Sequence, residues 1–339
     1  DAFPSGWMKT LMDVERRPKP AYFAYRDALT PLMLSLRTDR FRFSPGDEAV
    51  IEAWVANDRD TAPVHCQLRY CLEKNGNVLS AGTSPATVPL SSSHCQGVIR
   101  FPIPEVERRC KLTFRAVLVD ARGKAIHENA QEIEVFPQTY AGVATSTPVH
   151  LLSRRQGPAK ELCDALGVPV TYRRPEGNAA ILIDDYTDFN RKRCEVELAV
   201  ERGATVVFLG LPEGEYDIAD SAVAVKRCGM NPRHFASRRT GHRLVRGFQP
   251  HDLRLWYDAE AGIVTPFLFA TFRGEKWTQI LTSGDGTFRQ GEWERTMAAA
   301  ERSWGKGLFR ICQVQLRNRV AANPVARRFA LRLLGKTEQ

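Results

Sequence analysis

The sequence predicts a multidomain chain of mixed class, β followed by α/β: an antiparallel β-sandwich, then a domain built on a mostly parallel sheet. Three observations carry this. Between residues 32 and 137 short runs alternate apolar and polar residues with a period of two, the pattern of half-buried strands. Beyond residue 148 the runs Ile181–Ile183 and Val206–Leu209 are apolar without alternation, as in strands covered on both faces, and helical stretches lie between them. With 339 residues, 43% of them hydrophobic, the chain can fill more than one core.

Residues 1–31 read as a loop and a helix. Pro31 closes the helix because a proline restricts the residue before it. Residues 32–137 form the sandwich, with strands expected at Phe41–Phe43, Ala49–Val55, Cys66–Leu72, Gly97–Phe101, Leu112–Val119 and Glu132–Phe136. Turn signals separate them, and Asn75-Gly76 is the strongest because both residues tolerate positive φ. Residues 138–147, polar and rich in Thr, Ser and Gly, read as a linker. Residues 148–339 then run Val149–Leu152 (strand), Pro158–Leu166 (helix), Val168–Tyr172 and Ala179–Ile183 (strands), Asn190–Arg202 (helix) and Ala204–Leu209 (strand). A late strand covers Leu308–Cys312 and extends toward Leu316. Asn323 as N-cap and Pro324 at the first turn open a last helix, which Gly335 stops.

The net charge of +9 raises the question of nucleic acid, but the basic residues recur as Arg pairs spread over the chain among acids. They read as solvated faces. No apolar run reaches the ~18 residues of a spanning helix, so no membrane partner is expected. The eight cysteines show neither Cys-x-x-Cys nor zinc spacing; Cys66, Cys71, Cys95 and Cys110 share one strand-rich stretch that leaves a disulfide open there, and free buried thiols are the expected state.

The N-terminal run resembles a known family. Asp1, Pro4 and Trp7 in the first loop, then Arg17, Lys19, Pro20, Ala21, Tyr22, Ala24 and Arg26, are similar to the last strand-to-helix loop and last helix of the catalytic barrel in family 2 glycoside hydrolases, the β-galactosidase and β-mannosidase group. The resemblance implies an immunoglobulin-like sandwich after that helix. It also implies a parent enzyme that cleaves β-glycosides by a retaining route with two glutamates, which would lie before residue 1. Trp7, with Phe3 and Asp1 around it, would line the substrate pocket, since sugar rings lie on aromatic faces. Carbohydrate is then a partner through the parent barrel.

The third region is similar to the flavodoxin-like, glutamine-amidotransferase-like domain found in several β-galactosidase families. The turn after Leu209, where such a domain carries its nucleophile, reads Gly210-Leu-Pro-Glu-Gly214. The closing strand reads Gln313-Val-Gln315 in place of His-x-Glu. The domain therefore reads as a sheet without a triad, serving structure or homo-oligomer contacts. No catalytic residue, metal site or cofactor is expected within the chain. Asp184 and Asp185 read as loop caps, Glu213 and Glu215 as a solvated loop, the seven histidines as scattered, and Ser283-Gly-Asp-Gly286 as a tight turn.

Overall fold

The computed structural model describes residues 10–13, 15–142, 146–152, 156–173, 178–228, 232–286 and 293–336. Two compact units divide it. The first gathers the chain up to Thr38 with Asp47–Ile103 and Lys111–Glu134, and the second takes Asp39–Gly46, Pro104–Cys110 and everything from Val135.

In chain order the elements up to residue 135 are α1 (Pro20–Ala28), β1 (Leu32–Arg37), β2 (Arg42–Phe43), β3 (Glu48–Asn57), β4 (Cys66–Lys74), β5 (Asn77–Ala86), β6 (Ser92–Pro102), β7 (Cys110–Val119) and β8 (Ala125–Val135). In the first unit β1, β3 and β6 form one antiparallel sheet, and β8, β7, β4 and β5 lie side by side in another. Alternation decides which side chains face inward: Ala49, Ile51, Ala53 and Val55 of β3 are buried, as are Leu112, Phe114, Ala116 and Leu118 of β7. The sheets meet through Phe101 of β6 and Phe114 of β7, whose ring centroids lie 5.2 Å apart, with Tyr70 of β4 edge-on to Phe101. Asn75 (φ 51°) and Gly76 (φ 83°) join β4 to β5 with both turn residues at positive φ, as a two-residue hairpin requires. β5 itself is mostly exposed and therefore carries no alternation that the sequence could reveal.

The second unit continues with η1 (Gln138–Ala141), β9 (Val149–Leu151), α2 (Pro158–Leu166), β10 (Val170–Thr171), β11 (Ala180–Ile183), α3 (Tyr186–Arg191), α4 (Arg193–Glu201) and β12 (Thr205–Leu209). After these come β13 (Gly214–Asp217), β14 (Ala222–Arg227), η2 (Pro232–His234), η3 (Arg243–Val245), β15 (Tyr257–Asp258), β16 (Ile263–Val264), β17 (Ala270–Gly274), β18 (Thr278–Gly286), β19 (Trp293–Trp304), β20 (Gly307–Cys312) and α5 (Pro324–Leu333). Five strands run parallel in the order β10-β9-β11-β12-β20. Beyond β20 the sheet continues antiparallel through β19, β17, β14 and β13, with β18 also paired to β19. α2 and α5 pack on one face around Leu162, Leu166, Phe329 and Leu333, while α3 and α4 cover the other with Phe189, Val196 and Val200. This burial on both faces explains why β11 and β12 read as unbroken apolar runs.

Local chemistry sets the helix ends. Pro158 and Pro324 occupy first turns, Asp185 caps α3 by accepting from the Thr187 amide at 2.9 Å, and Gly167 (φ 70°) and Gly335 (φ 65°) follow α2 and α5 in the left-handed region. Several expectations need correction. Asn323 stands at the N-cap of α5, but its side chain does not cap the helix. It bonds instead to the backbone of Tyr257 on both sides, accepting from the amide at 3.1 Å and donating to the carbonyl at 2.8 Å. Ser283–Gly286 forms the end of β18 rather than a turn, with Ser283 opposite Thr296. The expected helix over 190–202 is broken at Lys192 into α3 and α4. The late strand ends at Cys312, and Val314 makes only a single bridge, to Leu268. The segment read as a linker opens with η1, whose Tyr140 ring lies 4.5 Å from that of Phe136.

The arginines are far from uniformly solvated. Arg109 pairs with the buried Asp252 through both guanidinium nitrogens. Arg327 donates to the last carbonyls of α2, at Ala165 and Leu166. Arg332 holds the carbonyls of Leu244 and Arg246. In this unit guanidinium groups tie loops to helix ends, supplying several donors where backbone carbonyls lack partners.

Candidate functional site

The carboxyl ends of β11, β12 and β20 open on a cavity of about 340 Å³ in the second unit. In an open parallel sheet the crevice forms where successive connections leave in opposite directions, here between β9 and β11. The residues following those two strands line it: Pro158 and Leu162 of α2, and Asp184 just past the end of β11. Leu209 and Gly210 close β12. Val314 to Arg319 run past the mouth after β20, and Asp258 enters from β15.

The polar groups divide into those already committed and those with capacity left. Asp258 is fully engaged: Oδ1 accepts from the amides of Glu260 and Ala261, and Oδ2 accepts from the Thr265 hydroxyl at 3.0 Å and faces Arg319 Nη2 at 3.2 Å. Burial works to raise its carboxyl, but the Ala261 amide, the Thr265 hydroxyl and the Arg319 charge outweigh it and hold the group below the usual Asp range. The Arg319 side chain is only 4% exposed and donates through Nη2 to Thr265 and the Pro266 carbonyl. Its buried Nε has no hydrogen-bond partner among the described residues. Asp184 accepts from the Ala159 amide at 3.1 Å through Oδ2, which caps the first turn of α2. Arg317 is paired with Glu161 of α2.

Among the described residues no Cys, Ser or Thr lines the cavity. Gly210, with φ 59°, has the left-handed backbone of a sharp strand-to-loop turn and donates its amide to the Cys312 carbonyl at 2.9 Å. Cys312 lies beside it but is fully buried, with its thiol pushed up to about 12 and turned to the Val314 carbonyl. Gln313 donates to the Leu211 carbonyl at 3.1 Å, and Gln315 is exposed at the rim.

The other residues singled out in the sequence fall elsewhere. Asp1, Phe3 and Trp7 lie outside the described residues. Glu213 and Glu215 are exposed, and Glu215 belongs to β13, opposite Ala224, rather than to a loop. All eight cysteines are free. The histidines occupy separate places: His127 accepts the Leu34 amide at Nδ1, and His150 is buried on β9. His242 accepts the Leu244 amide at Nδ1 and meets Glu301 at 2.9 Å through Nε2.

Sequence reasoning missed Asp258, Arg317, Asn318 and Arg319. The available signal was Arg317-Asn-Arg319 directly after the closing strand, a polar cluster at the carboxyl end of a strand.

No family model matches the chain, and no curated protein matches it. Among solved structures it is similar to a CARDB domain from Pyrococcus furiosus bound to di-metal ions, at 14% identity and a TM-score of 0.23, over 31% of this chain and 91% of that one. It is also similar to a conjugative transposon lipoprotein from Bacteroides eggerthii, at 11% identity and a TM-score of 0.19, over 30% of this chain and 96% of that one. A cycloisomaltooligosaccharide glucanotransferase from Paenibacillus sp. is similar over 52% of this chain and 28% of its own length, at 9% identity and a TM-score of 0.25.

Proposed function

We propose that the chain is the C-terminal accessory region of a family 2 glycoside hydrolase acting on β-galactosides or β-mannosides, non-catalytic by itself. In this reading α1 is the last helix of the catalytic barrel, the first unit an immunoglobulin-like sandwich, and the second a flavodoxin-like, amidotransferase-like domain. The observation that carries it is α1. None of its residues is buried, although Tyr22 (37%), Phe23 (43%), Tyr25 (56%) and the adjoining Leu29 (72%) are large apolar side chains left exposed. A helix of this composition needs a packing surface, and a barrel supplies one. The parallel order β10-β9-β11-β12-β20 supports the flavodoxin-like part, since numbering those strands along the chain gives 2-1-3-4-5. Glycine at the turn after β12 and glutamines after β20 support loss of a triad. The two catalytic glutamates belong to the barrel.

The test joins this chain to its genomic upstream sequence. The chain alone is expected to leave aryl β-galactosides and β-mannosides untouched. The joined protein is expected to hydrolyse one of them and to lose activity on substitution of an upstream strand-end Glu. Turnover by the chain alone, or an upstream sequence without such glutamates, overturns the reading.

A further inference from the structure

We propose that the surface formed by Arg246, Arg328 and Arg332 binds a doubly charged tetrahedral oxyanion, a phosphate or sulfate group. The two segments that build it carry no acidic residue: α5 contributes Arg328 and Arg332, and the stretch 240–248 contributes Arg246. Arg328 and Arg332 lie four positions apart on α5 and therefore share a helix face, where like charges repel. Arg332 ties the second segment alongside. Its Nη1 donates to the Leu244 carbonyl at 3.1 Å and the Arg246 carbonyl at 2.8 Å, and its guanidinium lies 5.2 Å from the Phe248 ring centroid. The Arg328 guanidinium lies 4.4 Å over the Tyr140 ring. Aromatic faces and backbone carbonyls thus position these side chains without neutralising them.

Counter-charge is what the cluster lacks. Among the described residues none of the three arginines has an ion-pair partner. Burial and then the charge of Arg328 hold the Arg332 guanidinium below its ordinary value, Arg246 adds to this, and only Tyr140 works the other way; no carboxylate acts on it. The charge of Asp252 reaches Tyr140, but Asp252 is already held by both terminal nitrogens of Arg109. The donors face water: Arg246 is exposed, Arg328 and Arg332 are half-buried, and no side-chain nitrogen of the three is sealed in without a partner. Three like charges with unspent N–H groups select an anion. A halide or a carboxylate brings a single charge and leaves the arginines repelling one another. A phosphate or sulfate dianion brings two, with oxygens that several guanidinium forks can share. The proposal uses no observation on which the barrel reading rests, so either can fail without the other.

The full chain is titrated by calorimetry with inorganic phosphate, sulfate, glucose 6-phosphate and acetate at matched ionic strength, and with a single-stranded oligonucleotide. Phosphate or sulfate is expected to bind saturably, and acetate about tenfold more weakly. Glucose 6-phosphate bound more tightly than phosphate assigns the group to a phosphorylated ligand, and the reverse order assigns it to the free ion; either supports the site. Arg246→Gln keeps the carbonyl that Arg332 uses, and Arg328→Gln leaves Arg332 in place. Each should weaken binding about tenfold. Arg122→Gln, at the exposed turn between β7 and β8 in the first unit, should leave it unchanged. Unchanged circular dichroism in the variants separates loss of the site from loss of the fold. Four results would each overturn the proposal: no saturable binding, acetate bound as tightly as phosphate, affinity indifferent to Arg246 and Arg328 or reduced equally by Arg122→Gln, or an oligonucleotide bound more tightly than phosphate with a steep salt dependence.

Discussion

Glu301 and Arg310 stand directly opposite each other on β19 and β20, with Arg310 Nε 2.9 Å from Glu301 Oε2 and both side chains buried. The pair extends beyond the sheet. Glu301 Oε1 meets His242, which precedes η3, at 2.9 Å, and Arg310 Nη1 donates to the Leu333 carbonyl at 2.5 Å, at the end of α5. One ion pair thus joins two strands, a loop and the last helix. Removing one partner strands a buried charge, which costs roughly 3–5 kcal/mol. Arg310→Leu should therefore lower the urea midpoint of the second unit sharply, and Glu301→Leu/Arg310→Leu should recover a large part of the loss. A double variant no better than the single one would refute this account of the pair.

Acid should act on the same unit. Burial works to raise the Glu301 carboxyl, but the Arg310 charge and the hydrogen bonds from Arg310 and His242 outweigh it and leave it below the usual Glu range. Asp258 is lowered against burial in a similar way. A carboxyl with a depressed folded value contributes fully above its unfolded value, about 4.3 for Glu and 3.9 for Asp, and loses that contribution as pH falls through the folded value. Stability from these two groups should be level down to about pH 5 and fall below it. Glu301→Gln should be less stable at neutral pH and show a shallower acid limb. Parallel curves for the two proteins would count against the assignment.

The thiols should divide by burial. Burial pushes Cys163 and Cys312 up to about 12, whereas Cys194 on α4 is exposed. The thiolate is the reacting form, so a native-state titration with a disulfide reagent should label Cys194 first. Cys66, Cys163, Cys228 and Cys312 should react only in denaturant. Labelling of Cys312 in the native protein, read by mass spectrometry, would contradict the closed packing beside Gly210.

Legibility in the sequence followed burial. The β4–β5 turn was plain because Asn75-Gly76 needs no tertiary context, and β11 and β12 because burial on both faces leaves unbroken apolar runs. β19 was hidden. Its centre, Met297-Ala-Ala-Ala-Glu-Arg302, has strong helix formers, and pairing with β18 and β20 overrides that preference. The crevice follows from a strand order that only the structure supplies, and Asp258 and Arg319, 61 positions apart, meet through the β15 hairpin and the loop after β20. No local pattern encodes such a meeting.

Two glycines in one unit separate close packing from backbone freedom. At Gly307, where β20 begins, an added Cβ would lie 2.1 Å from the Ala204 carbonyl oxygen and 2.4 Å from that of Val200, so α4 and the entry to β12 approach this strand only because the position has no side chain. Backbone cannot swing aside as a flexible side chain can. Gly307→Ala should thus cost about 3 kcal/mol or more, at the upper end of overpacking effects. At Gly167 the backbone is left-handed (φ 70°), but a Cβ meets nothing within 4 Å, so Gly167→Ala should cost only the conformational penalty of roughly 1–2 kcal/mol. Urea denaturation of both variants gives the comparison. A Gly307→Ala loss no larger than that at Gly167 would mean that α4 is free to move away from β20.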